Sequence, residues 1–229
     1  DMQQISIFGK PVWTEQTLTV NGREIPATQN GWQLMRTNAS LPMTLSSSMP
    51  WQIGFINIER PGRGVTVSAM GINGEQLSQW SKWRPGMWED LAQTKADLII
   101  LAYGTNEAFS GNLDISSTER TWRNYIRQIK NTLPNAGILI LGAPESLKTA
   151  YGSCGNRPVL LSEVQQMQQR VARDEKIMFW SWQDAMGGAC SMKNWMAQGL
   201  AAKDGVHFSV QGYENAADKL ADSLIRFAQ

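Results

Sequence analysis

One histidine stands among 229 residues, and only two cysteines. A lone imidazole cannot build a multi-histidine metal site, and two thiols are too few for a four-cysteine zinc site or a disulfide scaffold. Neither metal nor cofactor is expected. Lys and Arg number 21 against 20 Asp and Glu, a formal net charge of +1. Without a basic excess or a run of like charge, the chain lacks the electrostatic footprint of a phosphate-backbone binder, so nucleic acid is not an expected partner. No apolar run approaches the roughly 18–20 residues that span a bilayer, and no transmembrane segment is expected. What is present is length enough for one large domain, or one domain and part of a second. Ten tryptophans are also present. They suit either core and sheet-face packing or stacking platforms for sugars.

The chain changes character near residues 62–65. Before that point short alternating runs recur: Gln4 to Phe8, Thr17 to Val20 followed by an Asn21-Gly22 turn signal, Gly31 to Leu34, Met43 to Leu45 and Trp51 to Ile58. Strands at intervals of about ten residues suggest the back part of a β-sandwich or barrel. Pro61-Gly62-Arg63-Gly64 punctuates its end. From there strands and helices alternate. Val65 to Met70 reads as a strand. Leu77 to Lys95 reads as helical with a break near Pro85. Asp97 to Tyr103 is nearly all apolar, as a parallel strand covered on both faces should be. Trp122, Tyr125, Ile126, Ile129 and Leu133 share one helical face. Ile138 to Leu141 and Ile177 to Trp180 are further strands, with a helix carrying Leu160, Val164, Met167 and Val171 between them. Tyr213, Ala217, Leu220, Leu224 and Phe227 mark a C-terminal helix. The expected fold class is therefore α/β: a three-layer doubly wound parallel sheet over 63–229, preceded by part of a β-sandwich over 1–62. In such sheets ligands sit at the carboxyl ends of strands.

Three clusters fall at those ends. Asp204-Gly205-Val206-His207 puts an acid three residues before the imidazole. Gly205 permits the tight turn that lets the carboxylate bond Nδ1–H and leave Nε2 free to take a proton. Taken alone, the same four residues are more often a surface histidine near an unrelated aspartate. Gly104-Thr105-Asn106-Glu107 follows the strand ending at Tyr103, where the Asn106 amide could face a developing oxyanion or simply occupy a turn. Gly71-Ile72-Asn73-Gly74 could offer the Gly74 N–H to the same oxyanion, or start a helix.

In this chain order the three clusters resemble the blocks of the SGNH (GDSL) hydrolase family. Leu101 to Phe109, Gly142-Ala143-Pro144-Glu145, Met186-Gly187-Gly188 and Asp204 to Ser209 are similar to the peptidoglycan O-acetylesterases of Gram-negative bacteria. Glu107 stands where the wider family more often has aspartate. In that subgroup a β-sandwich resembling a carbohydrate-binding module is inserted between the first and second blocks, and residues 1–62 match its end. The resemblance implies a serine esterase in which His207 is general base and acid, Asp204 orients it, and Gly74 and Asn106 form an oxyanion hole. It implies as substrate the acetyl ester on C6 of N-acetylmuramic acid in O-acetylated peptidoglycan glycan strands. A periplasmic or outer-membrane-associated location follows. Another acetylated polysaccharide remains an alternative substrate, and a non-catalytic glycan-binding protein an alternative class. In an oxidising compartment Cys154 and Cys190 can pair or stay free.

The family's Gly-Asp-Ser block is absent. Ser6, Ser40, Ser46, Ser47, Ser48 and Ser68 precede Gly71, and none sits at the end of a strand in that setting. No nucleophile is expected in this chain. By the family's fold the missing first strand lies between those at 65–70 and 97–103, so its absence leaves two unpaired edges. The expectation is a downstream piece of a longer polypeptide whose upstream N-terminal fragment carries the serine, the central strand and the start of the sandwich.

Overall fold

Alternating apolar and polar side chains build the first of two units, Asp1–Met70, in a computed structural model that describes residues 1–13, 16–83 and 85–228. Its strands are β1 (Met2–Pro11), β2 (Thr17–Val20), β3 (Arg23–Pro26), β4 (Gln33–Ser40), β5 (Leu45–Ser46) and β6 (Trp51–Glu59). They pair antiparallel in two three-stranded sheets, ordered β4-β1-β6 and β3-β2-β5. Asn21 and Gly22 join β2 to β3 with φ of 47° and 79°, the positive pair that a two-residue hairpin turn requires. Ile5 and Ile7 of β1, Met35 and Ala39 of β4, and Leu18 and Val20 of β2 form one buried cluster. The two sheets therefore share a core. β6 is an edge strand with Ile53, Phe55, Ile56 and Ile58 all exposed.

One sequence expectation fails here. Val65 to Met70 form no strand, and Val65 and Val67 are 91% and 86% exposed. Alternation records a preference for pleated surface, but a strand exists only when a neighbour takes up its hydrogen bonds. Among the described residues no such pairing forms over 65–70.

The second unit, Gly71–Gln229, begins with a 3-10 helix over Leu77–Lys82. It continues through α1 (Met87–Thr94), β7 (Leu98–Leu101), α2 (Thr105–Phe109), α3 (Ile115–Thr132), β8 (Gly137–Leu141), α4 (Leu161–Glu175), β9 (Met178–Trp180), α5 (Trp182–Met186), α6 (Met192–Ala197) and α7 (Val210–Ala228). The break expected near Pro85 separates the 3-10 helix from α1; Arg84, within the same stretch, lies outside the described residues. β7, β8 and β9 form a parallel sheet in that order. Trp122, Ile126 and Ile129 of α3 and Met167 and Val171 of α4 pack on Leu101, Ile138 and Ile140 of the sheet. Three of the ten tryptophans are buried, Trp80 and Trp122 in this cluster and Trp195 in a second one with Leu147 and Phe208. β7 is an edge strand and pairs only with β8 among the described residues. Its Ile100 is 42% exposed despite lying in an all-apolar run.

Candidate active site

The exits of β7 and β8 and the loop before α7 carry the polar clusters. The last of these loops is closed by an antiparallel bridge between Ala201 and Phe208 and by the bond from Ala202 N–H to the His207 carbonyl, 2.8 Å. Phe208 is buried against Trp182, so the loop stands on a packed base. Within it His207 Nδ1 lies 2.7 Å from Asp204 Oδ2. The other carboxylate oxygen, Oδ1, accepts from the N–H groups of Val206 (2.8 Å) and His207 (3.0 Å). Partial burial works to raise the Asp204 pKa, but the ring and backbone hydrogen bonds outweigh it and hold the carboxyl at about 2. The expected acid–imidazole contact is thus made, with the carboxylate fixed at both oxygens and the imidazole open to solvent. Gly205 is required at its position: φ is +70°, and a Cβ there would meet the Leu147 Cβ at 3.0 Å.

Asn106 lies at the start of α2, directly past the exit of β7. Its Nδ2 donates to the Glu75 carbonyl at 2.9 Å, and Gln76 Nε2 donates back to the Asn106 carbonyl at 3.3 Å. The structure therefore joins the Asn106 loop to the segment that follows Gly74. Gly74 itself is exposed, with φ +79°. The two loops are further linked by Glu107, which sequence reasoning had noted only as a departure from the wider family. Its carboxylate is 1% exposed and accepts from Gly104 N–H (2.9 Å) and from Leu77 N–H (3.0 Å).

The segment leaving β8 connects these parts. Gln168 of α4, fully buried, accepts from Ala143 N–H through Oε1 (2.8 Å) and donates through Nε2 to the Tyr103 carbonyl (2.7 Å). Four residues on, Leu147 N–H donates to the Gly205 carbonyl at 2.8 Å. The Asn106 loop and the His207 loop are both anchored to the one stretch 143–147. Glu145, in the same stretch and fully buried, takes Arg157 and Gln183 as partners. A disulfide between Cys154 and Cys190, Cα atoms 4.7 Å apart, resolves the alternative left open by the cysteine count. It pins the excursion that the Thr149–Asn156 bridge closes.

Of the serines before Gly71, Ser6 lies on β1, Ser40 on β4 and Ser46 on β5, Ser47 donates to the Thr17 carbonyl, and Ser68 falls in the 65–70 stretch that forms no strand. Among the described residues no three His, Cys, Asp or Glu side chains group as metal ligands, and no helix is long and apolar enough to cross a membrane.

A parallel α/β sheet thus carries an Asp–His pair before its last helix and an Asn just past a strand exit. The chain belongs to the GDSL-like lipase/acylhydrolase family, whose sequence profile matches residues 47–214. Among solved structures it is similar to a peptidoglycan O-acetylesterase, at 63% identity and TM-score 0.95, over 99% of this chain and 65% of that one. The chain thus spans about 65% of that relative's length. An acetyl xylan esterase shares the fold at 16% identity and TM-score 0.54, over 67% of this chain and 78% of its own. So does a GDSL-like lipase of Bacteroides thetaiotaomicron, at 20% identity and TM-score 0.51, over 70% and 75%. No curated protein sequence matches the chain.

Proposed function

We propose that the chain is the larger part of a serine esterase that removes O-acetyl groups from C6 of N-acetylmuramic acid in peptidoglycan, the serine coming from an upstream segment of the same protein. The observation that carries the reading is the 2.7 Å contact between His207 Nδ1 and Asp204 Oδ2, which leaves Nε2 free. The likeness to a peptidoglycan O-acetylesterase supports the substrate. In the first step the serine Oγ attacks the acetyl carbonyl while His207 Nε2 takes its proton. Asn106 Nδ2 has one N–H on the Glu75 carbonyl, which fixes the amide and leaves the second N–H for the oxyanion. The Gly74 N–H is the companion donor. On collapse the imidazolium returns its proton to the C6 oxygen, and the sugar alcohol departs from an acetyl-enzyme. Water, deprotonated by the same Nε2, then releases acetate.

The upstream segment would also supply a strand along the open edge of β7. Residues 1–62 are the end of a β-sandwich inserted like a carbohydrate-binding module, and 63–229 the hydrolase domain without its first strand. The exposed apolar edge of β6 is consistent with further sandwich strands. The Cys154–Cys190 bridge fits an oxidising compartment, which we take to be the Gram-negative periplasm or the outer-membrane surface facing it.

Acetate release from O-acetylated peptidoglycan tests the reading. The protein carrying the upstream segment should turn over, its His207→Ala variant should lose about 10³-fold or more in kcat, and residues 1–229 alone should do nothing. Glycan binding without turnover by the longer protein would instead make it a binding module.

A further inference from the structure

We infer that Glu107 is a positioning residue for the oxyanion hole: one buried carboxylate sets the spacing between the loop bearing Asn106 and the loop bearing Gly74. The inference rests on the esterase reading. Half of the arrangement is ordinary, because an acid at the third position of a helix often bonds back to the N-cap N–H, and Glu107 does so at Gly104. A capping box does not explain the other half. Oε1 leaves its own helix and accepts from the N–H of Leu77, 30 residues away in sequence and three residues past Gly74. A side chain that only capped α2 would have no reason to be buried under another segment.

The cost of the placement argues the same way. Burial raises the Glu107 pKa, against the lowering effect of the N–H groups it receives. Asp114 avoids this cost by capping α3 from an exposed position. At Glu107 the carboxyl group faces inward and receives one N–H from each loop. Two further hydrogen bonds, from Asn106 Nδ2 to Glu75 and from Gln76 Nε2 to Asn106, lie beside it. Of these contacts only the carboxylate joins two main-chain N–H groups, one from each loop. Since oxyanion stabilisation depends on donors already standing where charge will develop, the group that fixes their separation acts on the transition state and not on ground-state binding.

Glu107→Gln tests this. One amide oxygen can serve one N–H, but the amide NH2 opposes the other. In the protein that includes the upstream segment, kcat for a small acetate ester should fall about 10- to 100-fold, short of the roughly 10²–10³ for losing a donor outright. KM should not move, and inhibition by a small boronic acid, which forms a tetrahedral serine adduct, should weaken by a similar factor. A merely structural role would lower the melting temperature without separating KM from boronate affinity. Unchanged kcat and boronate affinity would overturn the inference. Should the Gln variant not fold, Glu107→Asp, too short to reach both loops, carries the same expectation. Independently, amide exchange in unmutated residues 1–229 should show Leu77 and Gly104 protected. Exchange of Leu77 as fast as its exposed neighbour Ser78 would equally overturn the bridge. That arm needs no turnover, so a longer protein without esterase activity would defeat the proposed function and leave the bridge to be judged on exchange.

Discussion

Asp204 uses its two oxygens for different ends: Oδ2 orients the His207 ring, and Oδ1 closes the turn through the Val206 and His207 N–H groups. With its pKa at about 2 against an ordinary 3.8, the folded carboxyl binds its proton less tightly than the unfolded one. The stability it contributes is therefore complete above about pH 3.8 and is lost as pH falls through about 2. That contribution is small, since half of the Asp204 side chain and 72% of His207 face solvent and salt screens them. The catalytic consequence is larger. Asp204→Asn should lower kcat about 10²- to 10⁴-fold by admitting the wrong imidazole tautomer, while the melting temperature at pH 7 stays within a few degrees. In the unmutated protein Asp204 should add no inflection to the pH–rate profile above about pH 4. A variant retaining more than a tenth of the original kcat would mean the ring is held by something else. The D-x-x-H spacing made this pair readable in advance. Glu107 was not readable as a bridge, because its second partner, Leu77, is set by tertiary packing and has no fixed sequence offset.

Between elements, polar side chains do what apolar periodicity cannot announce. Helix α4 was visible from Leu160, Val164, Met167 and Val171, and the pattern marks Gln168 as an exception on the buried side. Its purpose appears only when the exits of β7 and β8 are placed beside it, since it pairs the Tyr103 carbonyl and the Ala143 N–H. Gln168→Leu keeps the shape and strands both groups. Each buried orphan costs about 1–3 kcal/mol, so denaturant unfolding should show a loss of about 2–5 kcal/mol; a loss under about 0.5 kcal/mol would mean water or a neighbour replaces the amide. The same logic explains where the strand reading succeeded and failed. Thr17 to Val20 and Ile138 to Leu141 carry the residue pattern of strands and have partners, so they form β2 and the body of β8. Val65 to Met70 has the pattern, but forms no strand and stays exposed to solvent. The disulfide was likewise beyond a cysteine count, because pairing Cys154 with Cys190 needs two loops brought within reach.

At the scale of the whole molecule, part of the exposed apolar surface lies on strands with an open side. β6 exposes four large apolar residues, and β7 exposes Ile100 in the middle of a four-residue run suited to a strand covered on both faces. If the proposed upstream strand lies along β7, Ile100 is a core residue of the longer protein and a surface residue of residues 1–229. A single substitution separates the two states. Ile100→Glu should change the stability of residues 1–229 by less than about 1 kcal/mol, within the range for surface changes. In the longer protein it should remove about 1.5–3 kcal/mol of side-chain burial and add the cost of a carboxylate at a closed edge, a loss of roughly 3 kcal/mol or more. Paired thermal or urea melts of the two lengths measure the difference directly. Equal losses in both would place Ile100 in the same surroundings with and without the upstream segment, and the strand that delivers the serine would have to run elsewhere.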